Sequence, residues 1–261
     1  MISVLTDRII ETQYLLSEIK KGKMAARGAK AVFVGNIKGG VGKSTLTVYL
    51  TEYLRQRFKR QGVLLLDTDP QGTSFELLEP RSRSGEARFL PVGDRYDAVN
   101  MTTLDGVLRR FLSQDNGIAI VDSGAGKMGN FWQVGFLCNA LLVPTSMSWT
   151  DLRPTLDFIR EIDERKEDQQ SATPHIIVVP NRVSPNQRHF DLLTSALQEV
   201  NAILAPPISE LSAARNYDKS FDGLEGVRDS RFYHEIVRLG EFIVEYVVSG
   251  ELDKIYSRIT N

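Results

Sequence analysis

Ala31-Val32-Phe33-Val34-Gly35-Asn36-Ile37-Lys38-Gly39-Gly40-Val41-Gly42-Lys43-Ser44-Thr45 decides the fold. An apolar run enters a glycine-rich turn, and the turn enters a helical pattern at Ser44–Lys59. Such a turn binds phosphate: successive backbone N–H groups at a helix N-terminus converge on its oxygens. Lys43 is placed to reach the outer phosphates and Ser44 to ligate Mg²⁺. The ordinary pattern G-x-x-x-x-G-K-[ST] is not fully met. Counting back from Gly42, its first position falls on Ile37, and Lys38-Gly39-Gly40 supplies the bend. A second lysine therefore opens the loop. By itself Lys38 would read as a solvated cation near phosphate.

Four further apolar runs follow, at Val63–Leu66, Ile118–Val121, Leu141–Pro144 and Ile176–Val179. Short continuous runs of this kind are buried parallel strands. Helical patterns at Ser44–Lys59, Thr103–Ser113, Asp151–Lys166 and Gln187–Val200 alternate with them. The fold class is α/β: a doubly wound, mainly parallel sheet with helices on both faces and its ligand site at the strand carboxyl ends. Polar chemistry sits at those ends. Asp67-Thr68-Asp69-Pro70-Gln71-Gly72 follows the second run, where the acid pair could also be a capped turn. Asp122 ends the third run, the arrangement in which a carboxylate holds Mg²⁺.

Lys38 to Thr45 resembles the deviant Walker A loop, K-G-G-x-G-K-[ST], of the ParA/MinD family of ATPases. Asp67 to Gly72 is similar to the D-x-D-P-Q-G motif of its partitioning branch, the ParA (Soj-like) proteins. The resemblance implies a P-loop NTPase, SIMIBI-like domain that binds ATP and Mg²⁺ and hydrolyses ATP. Lys38 would cross a two-fold interface to the nucleotide of the partner subunit, acting with Lys43 and Asp69 in catalysis. Asp69 would position the attacking water, and Ser44, Asp67 and Asp122 would form the Mg²⁺ shell. Gly39, Gly40, Val41, Gly42 and Thr45 would complete the ATP cradle, with Asn181, Arg182 and Pro207 around the adenine. Guanine would need N-K-x-D, and Asn181-Arg182-Val183-Ser184 lacks it. One departure is Gly124, where the family usually carries proline; it implies a more flexible loop after Asp122.

A chain of 261 residues, 42% hydrophobic, can bury one sizeable core. Residues 1–30 read as an N-terminal amphipathic helix (Ser3–Lys20) and a basic linker, and residues 31–261 as the ATPase domain. The helix would pack on its own domain or serve as a contacting arm. It is too short for a winged-helix domain, which disfavours operator autorepression. Cys138 is the one cysteine and reads as a core residue, which excludes an iron–sulfur relative. No apolar run approaches the about 20 residues of a membrane span, and no signal peptide precedes the first motif; the expectation is a soluble, cytoplasmic protein.

A formal net charge of −1 exerts no global pull toward nucleic acid. Local cations are available at Arg188, Arg215, Arg228, Arg231 and Arg238. The last two lie on a helix at Ser230–Val248, in the region where the family makes non-specific DNA contacts. The partners implied are a second copy in an ATP-dependent homodimer, DNA, and a ParB-like or other cargo-bound activator. Plasmid or chromosome segregation is the leading reading. The alternatives are a switch that positions a protein cargo (chemoreceptor array, flagellum or microcompartment) and a membrane-acting protein of the MinD type. The tail Glu251–Ile259 carries as many acids as bases, which disfavours membrane. A metabolic phosphotransferase is a third class, which Lys38 argues against. Arg81–Arg88 reads as a solvent loop.

Overall fold

The computed structural model describes residues 28–58, 62–92, 97–126, 132–167, 174–184, 190–197, 200, 202–210 and 222–250. The proposed N-terminal helix, Arg188, Arg215 and the tail from Glu251 lie outside the described residues. The strands are β1 (Lys30–Val34), β2 (Val63–Asp67), β3 (Ala87–Phe89), β4 (Ile118–Asp122), β5 (Ala140–Thr145), β6 (His175–Pro180) and β7 (Ile203–Leu204). They form one sheet in the order β3-β2-β4-β1-β5-β6-β7, every described pair parallel. The helices are α1 (Lys43–Arg57), α2 (Thr73–Leu78), α3 (Asp97–Leu112), α4 (Trp132–Leu137), α5 (Trp149–Glu167), α6 (Asp191–Leu197) and α7 (Arg231–Ile243).

Side chains alternate across a strand, so each central strand feeds two cores. Ala31 and Phe33 of β1 turn to the face covered by α3 to α6, with Leu108, Phe158 and Ile159. Val32 and Val34 turn to the other face, against Leu46 and Leu50 of α1 and Ile236 and Leu239 of α7. Parallel strands buried on both faces must be apolar at every position, which is why these runs do not alternate. Each such side chain contributes about 1.5–3 kcal/mol when fully buried. Cys138, just past α4, is buried in the first core.

The structure corrects one sequence expectation. Arg81–Arg88 is not a plain solvent loop: a 3₁₀ turn covers Glu79–Arg81, and Ala87–Phe89 adds the edge strand β3 to β2. The reason lies on α1. Arg55, fully buried there, donates to Ser82 Oγ at 2.8 Å and to Glu86 O at 3.4 Å, fastening the segment from behind. A buried guanidinium needs such acceptors.

Helices α1 and α7 meet at Gly240, where a Cβ would stand 2.1 Å from the Tyr53 ring. Helix propensity alone favours alanine there by roughly 1 kcal/mol. The clash reverses the sign. Gly240→Ala is expected to lower stability by about 2 kcal/mol, read as a fall in the urea midpoint; a rise would disprove this close approach.

Candidate functional site

The ladder register builds the site. Val34 of β1 aligns with Asp122 of β4, and Asp122 aligns with Asp67 of β2. Three strands thus end at one level, with the glycine loop leaving the middle of the sheet. Asn36, buried beneath that loop, donates to Pro144 O at 2.9 Å and Thr155 Oγ1 at 2.8 Å. Its own oxygen accepts from Lys38 N at 3.0 Å. One side chain therefore ties the loop's start to β5 and α5. Gly42 caps α1 at φ 89°, a left-handed conformation that favours glycine. A Cβ there would also lie 2.4 Å from Asn181 Nδ2.

Lys43 is buried, and its Nζ donates to Lys38 O at 3.3 Å, folding back over the loop. Burial lowers its pKa, while the charges of Asp122 and Asp69 work the other way. Asp67 and Asp122 are both fully buried. Asp67 spends its oxygens on backbone donors, Oδ1 on Asp69 N at 3.0 Å and Oδ2 on Phe75 N at 2.8 Å. It organises the Thr68–Gly72 turn and the start of α2. Asp122 differs. Its Oδ1 accepts from Thr47 Oγ1 at 3.1 Å, whereas Oδ2 is buried with no hydrogen bond of ordinary geometry among the described residues. Burial and the facing charge of Asp67 push Asp122 up to about 7, with the nearby hydroxyls of Ser74, Ser44 and Thr47 offsetting part of the rise.

A buried carboxylate oxygen with no donor, beside the hydroxyl of Ser44, offers the hard oxygen ligands that Mg²⁺ prefers. Ser44 and Asp122 thus fit the cation, with Asp67 as the supporting charge behind them. Asp69 is half-buried on the turn, its Oδ1 accepting from Gln71 N at 3.0 Å. Gly124 faces it: a Cβ there would touch the Asp69 carboxyl at 3.5 Å. The absent proline therefore leaves the Asp69 turn less tightly flanked.

On the far side of the loop, Asn181 Nδ2 donates to Val41 O and Arg182 Nη1 to Gly40 O, each at 2.8 Å. Arg182 has φ 56°, the one positive value among described non-glycine residues, and Glu210 grips its guanidinium at 2.9 Å. Pro207 is exposed on the segment after β7 that Ile208 N ties to Pro180 O. Thus Asn181 and Arg182 contact the loop, and Pro207 lies on the segment that pairs with their strand end. Lys38 points elsewhere: its Nζ lies 3.5 Å from Asp151 on the first turn of α5, its side chain 40% exposed. Of the arginines expected on DNA, Arg228 pairs with Glu225 and Arg231 with Glu235, whereas Arg238 is exposed with no ion pair among the described residues.

Asn36, Thr47, Ser74 and Asp151 were not legible as site residues. Thr47 carried a faint signal, one helical turn beyond Ser44 on the same face. Asp151 carried none, because only the placement of α5 beside the loop brings it to Lys38.

A proton held by Asp122 below about pH 7 would compete with Mg²⁺ for the same carboxylate. The added affinity that Mg²⁺ gives a fluorescent ATP analogue should therefore rise from pH 6 to pH 8 and level off above. Asp122→Asn should flatten that rise; a flat wild-type profile would remove Asp122 from the cation.

Residues 32–220 match the family model described as the CobQ/CobB/MinD/ParA nucleotide binding domain. The chain is 26% identical over 195 residues to the maintenance of carboxysome distribution protein A of Halothiobacillus neapolitanus, spanning 74% of this chain and 82% of that one. In fold it is similar to a Cyanothece McdA–ATP complex, with TM-score 0.60, 18% identity and coverage of 83% and 95% of the two chains. It is also similar to the Pyrococcus horikoshii septum site-determining protein MinD with Mg-ADP, with TM-score 0.60, 16% identity and coverage of 82% and 96%. With a glycine loop at the end of the central strand, two buried aspartates in register beside it and this match over most of its length, the chain belongs to the CobQ/CobB/MinD/ParA family of nucleotide-binding domains.

Proposed function

We propose that this protein is a positioning ATPase: it binds ATP and Mg²⁺, closes into a nucleotide-sandwich homodimer, and hydrolyses ATP to release a surface it has gripped. The observation that carries the reading is the division of labour between two loop lysines. Lys43 is buried over its own loop, while Lys38 stands half-exposed at the rim, with Asp151 at 3.5 Å as its one ion-pair partner among the described residues. A cation so placed is available to a second subunit, where it would offset charge developing on the transferred phosphoryl group. Asp69 is the candidate for orienting water, and a glycine at 124 beside it, in place of the family's proline, suits a site completed only on closure. Slow turnover by the lone chain follows from that incompleteness.

The gripped surface in this reading is DNA, held through phosphates without sequence readout. Arg238 is its leading contact, because Arg228 and Arg231 are already paired within the chain. For the cargo, a large protein assembly gains support from the similarity to a carboxysome distribution protein. Plasmid or chromosome cargo remains the second reading, on the strength of the Asp69-Pro70-Gln71-Gly72 turn.

A mobility-shift titration on duplex DNA of arbitrary sequence, at one moderate salt, tests the reading. Binding is expected with ATP and Mg²⁺ and not with ADP or without nucleotide. Lys38→Ala should retain ATP but lose dimerisation, hydrolysis and the shift together, whereas Asp69→Ala should trap an ATP-bound dimer. A Lys38→Ala protein with normal hydrolysis would return the loop to an ordinary phosphate-binding role. Dimerisation without any DNA binding would move the gripped surface to protein or membrane.

A further inference from the structure

Glu235 is a buried carboxylate on α7, apart from the glycine loop and the aspartate pair. Three donors converge on it, each at 2.7 Å. Ser209 N reaches Oε2, while Ser209 Oγ and Arg231 Nε reach Oε1. Ser209 belongs to the segment that flanks Asn181 and Arg182. Ile208 N donates to Pro180 O at 2.8 Å, Val183 N to Ile208 O at 3.0 Å, and Glu210 N to Val183 O at 2.8 Å. The next residue, Glu210, holds Arg182, and Arg182 in turn holds Gly40 O.

The planarity of the peptide bond makes the last contact more than a tether. In a trans peptide the C=O and the following N–H point in opposite directions. Donors from Arg182 and Asn181 fix the carbonyls of Gly40 and Val41 on one side of the loop. The N–H groups of Val41 and Gly42 must then point to the other side. These belong to the backbone that cradles phosphate, and a bound nucleotide that reorients those amides also moves the carbonyls. Arg182 holds its position in a left-handed conformation, at φ 56°, that a non-glycine residue adopts only when its surroundings impose it.

We infer that Glu235 is a positioning residue that couples the phosphate loop to the first turn of α7, through Ser209, Glu210 and Arg182. Its occupant partner at the other end is Arg231, whose guanidinium is otherwise exposed to solvent. Nucleotide at the loop thereby sets the presentation of the α7 surface within one chain, before any second copy arrives. The inference rests on the loop's being a nucleotide site and on nothing further in the proposed cycle. By linkage, a ligand that engages α7 alters nucleotide affinity by the same factor.

Hydrogen exchange resolved by mass on the full chain tests it, at a concentration where light scattering reports monomer. A non-hydrolysable ATP analogue with Mg²⁺ should slow exchange both in peptides covering 38–46 and in peptides covering 228–238. In Ser209→Ala the slowing at 228–238 should shrink, and in Glu235→Gln, where an amide N–H₂ meets a donor, it should vanish. Slowing at 38–46 should persist in both. A merely structural Glu235 would speed exchange on α7 equally with and without nucleotide, leaving the difference intact; that result overturns the inference. Should Glu235→Gln fail to fold, an undiminished difference in Ser209→Ala overturns it equally. No slowing at 38–46 in the wild type would overturn the nucleotide site itself. Neither DNA nor hydrolysis enters the readout, so failure of the proposed cycle leaves this test standing.

Discussion

The parallel register of β1, β4 and β2 is the constraint on which the rest of the site depends. A parallel ladder permits only stepwise shifts, and a slip of one residue would turn every side chain to the opposite face. Two cores, one on each face, pin the register by hydrophobic pattern alone: Ala119 and Val121 on one side, Ile118 and Ile120 on the other. Asp122 then has no freedom of position. It must end its strand beside Val34 and across from Asp67, at the mouth of the glycine loop.

Taken by itself, this arrangement opposes stability. Two carboxylates face one another in a water-poor layer, and one oxygen of Asp122 lacks any donor. The folded state responds by holding the Asp122 proton to about 7. Asp67 avoids the same penalty in part by accepting two backbone N–H groups. Natural chains tolerate local violations of this sort chiefly at functional sites. Here a doubly charged cation between Asp122 and Ser44 would satisfy the orphaned oxygen and screen the acid pair.

The second organising element is lateral. Asn36 fastens the loop to β5 and α5, and Asn181 with Arg182 fastens it to the end of β6. The loop is thus braced from both sides of β1 before any ligand binds, which fits a preorganised anion site. The brace on the β6 side continues through Ser209 to α7, which lies on the same face as α1 and packs on it at Gly240. The glycine loop, the segment Pro207–Glu210 and α7 are therefore one connected body.

The sequence by itself determined the five central strands, the glycine loop and the two carboxylates at strand ends, because each is a local pattern. Four-residue apolar runs with a terminal aspartate read the same in any context, and Gly42-Lys43-Ser44 carries its own chemistry. Tertiary structure decided everything that depends on which strangers meet. The edge strand β3 was hidden, since its three residues gain strand character only when Arg55, from a distant helix, secures the segment beside β2. The partner of Lys38, the donors on Gly40 and Val41, and the orphaned oxygen of Asp122 were hidden for the same reason. Each is separated in sequence by tens of residues or more, and side-chain donors and acceptors find one another only after the two cores have closed.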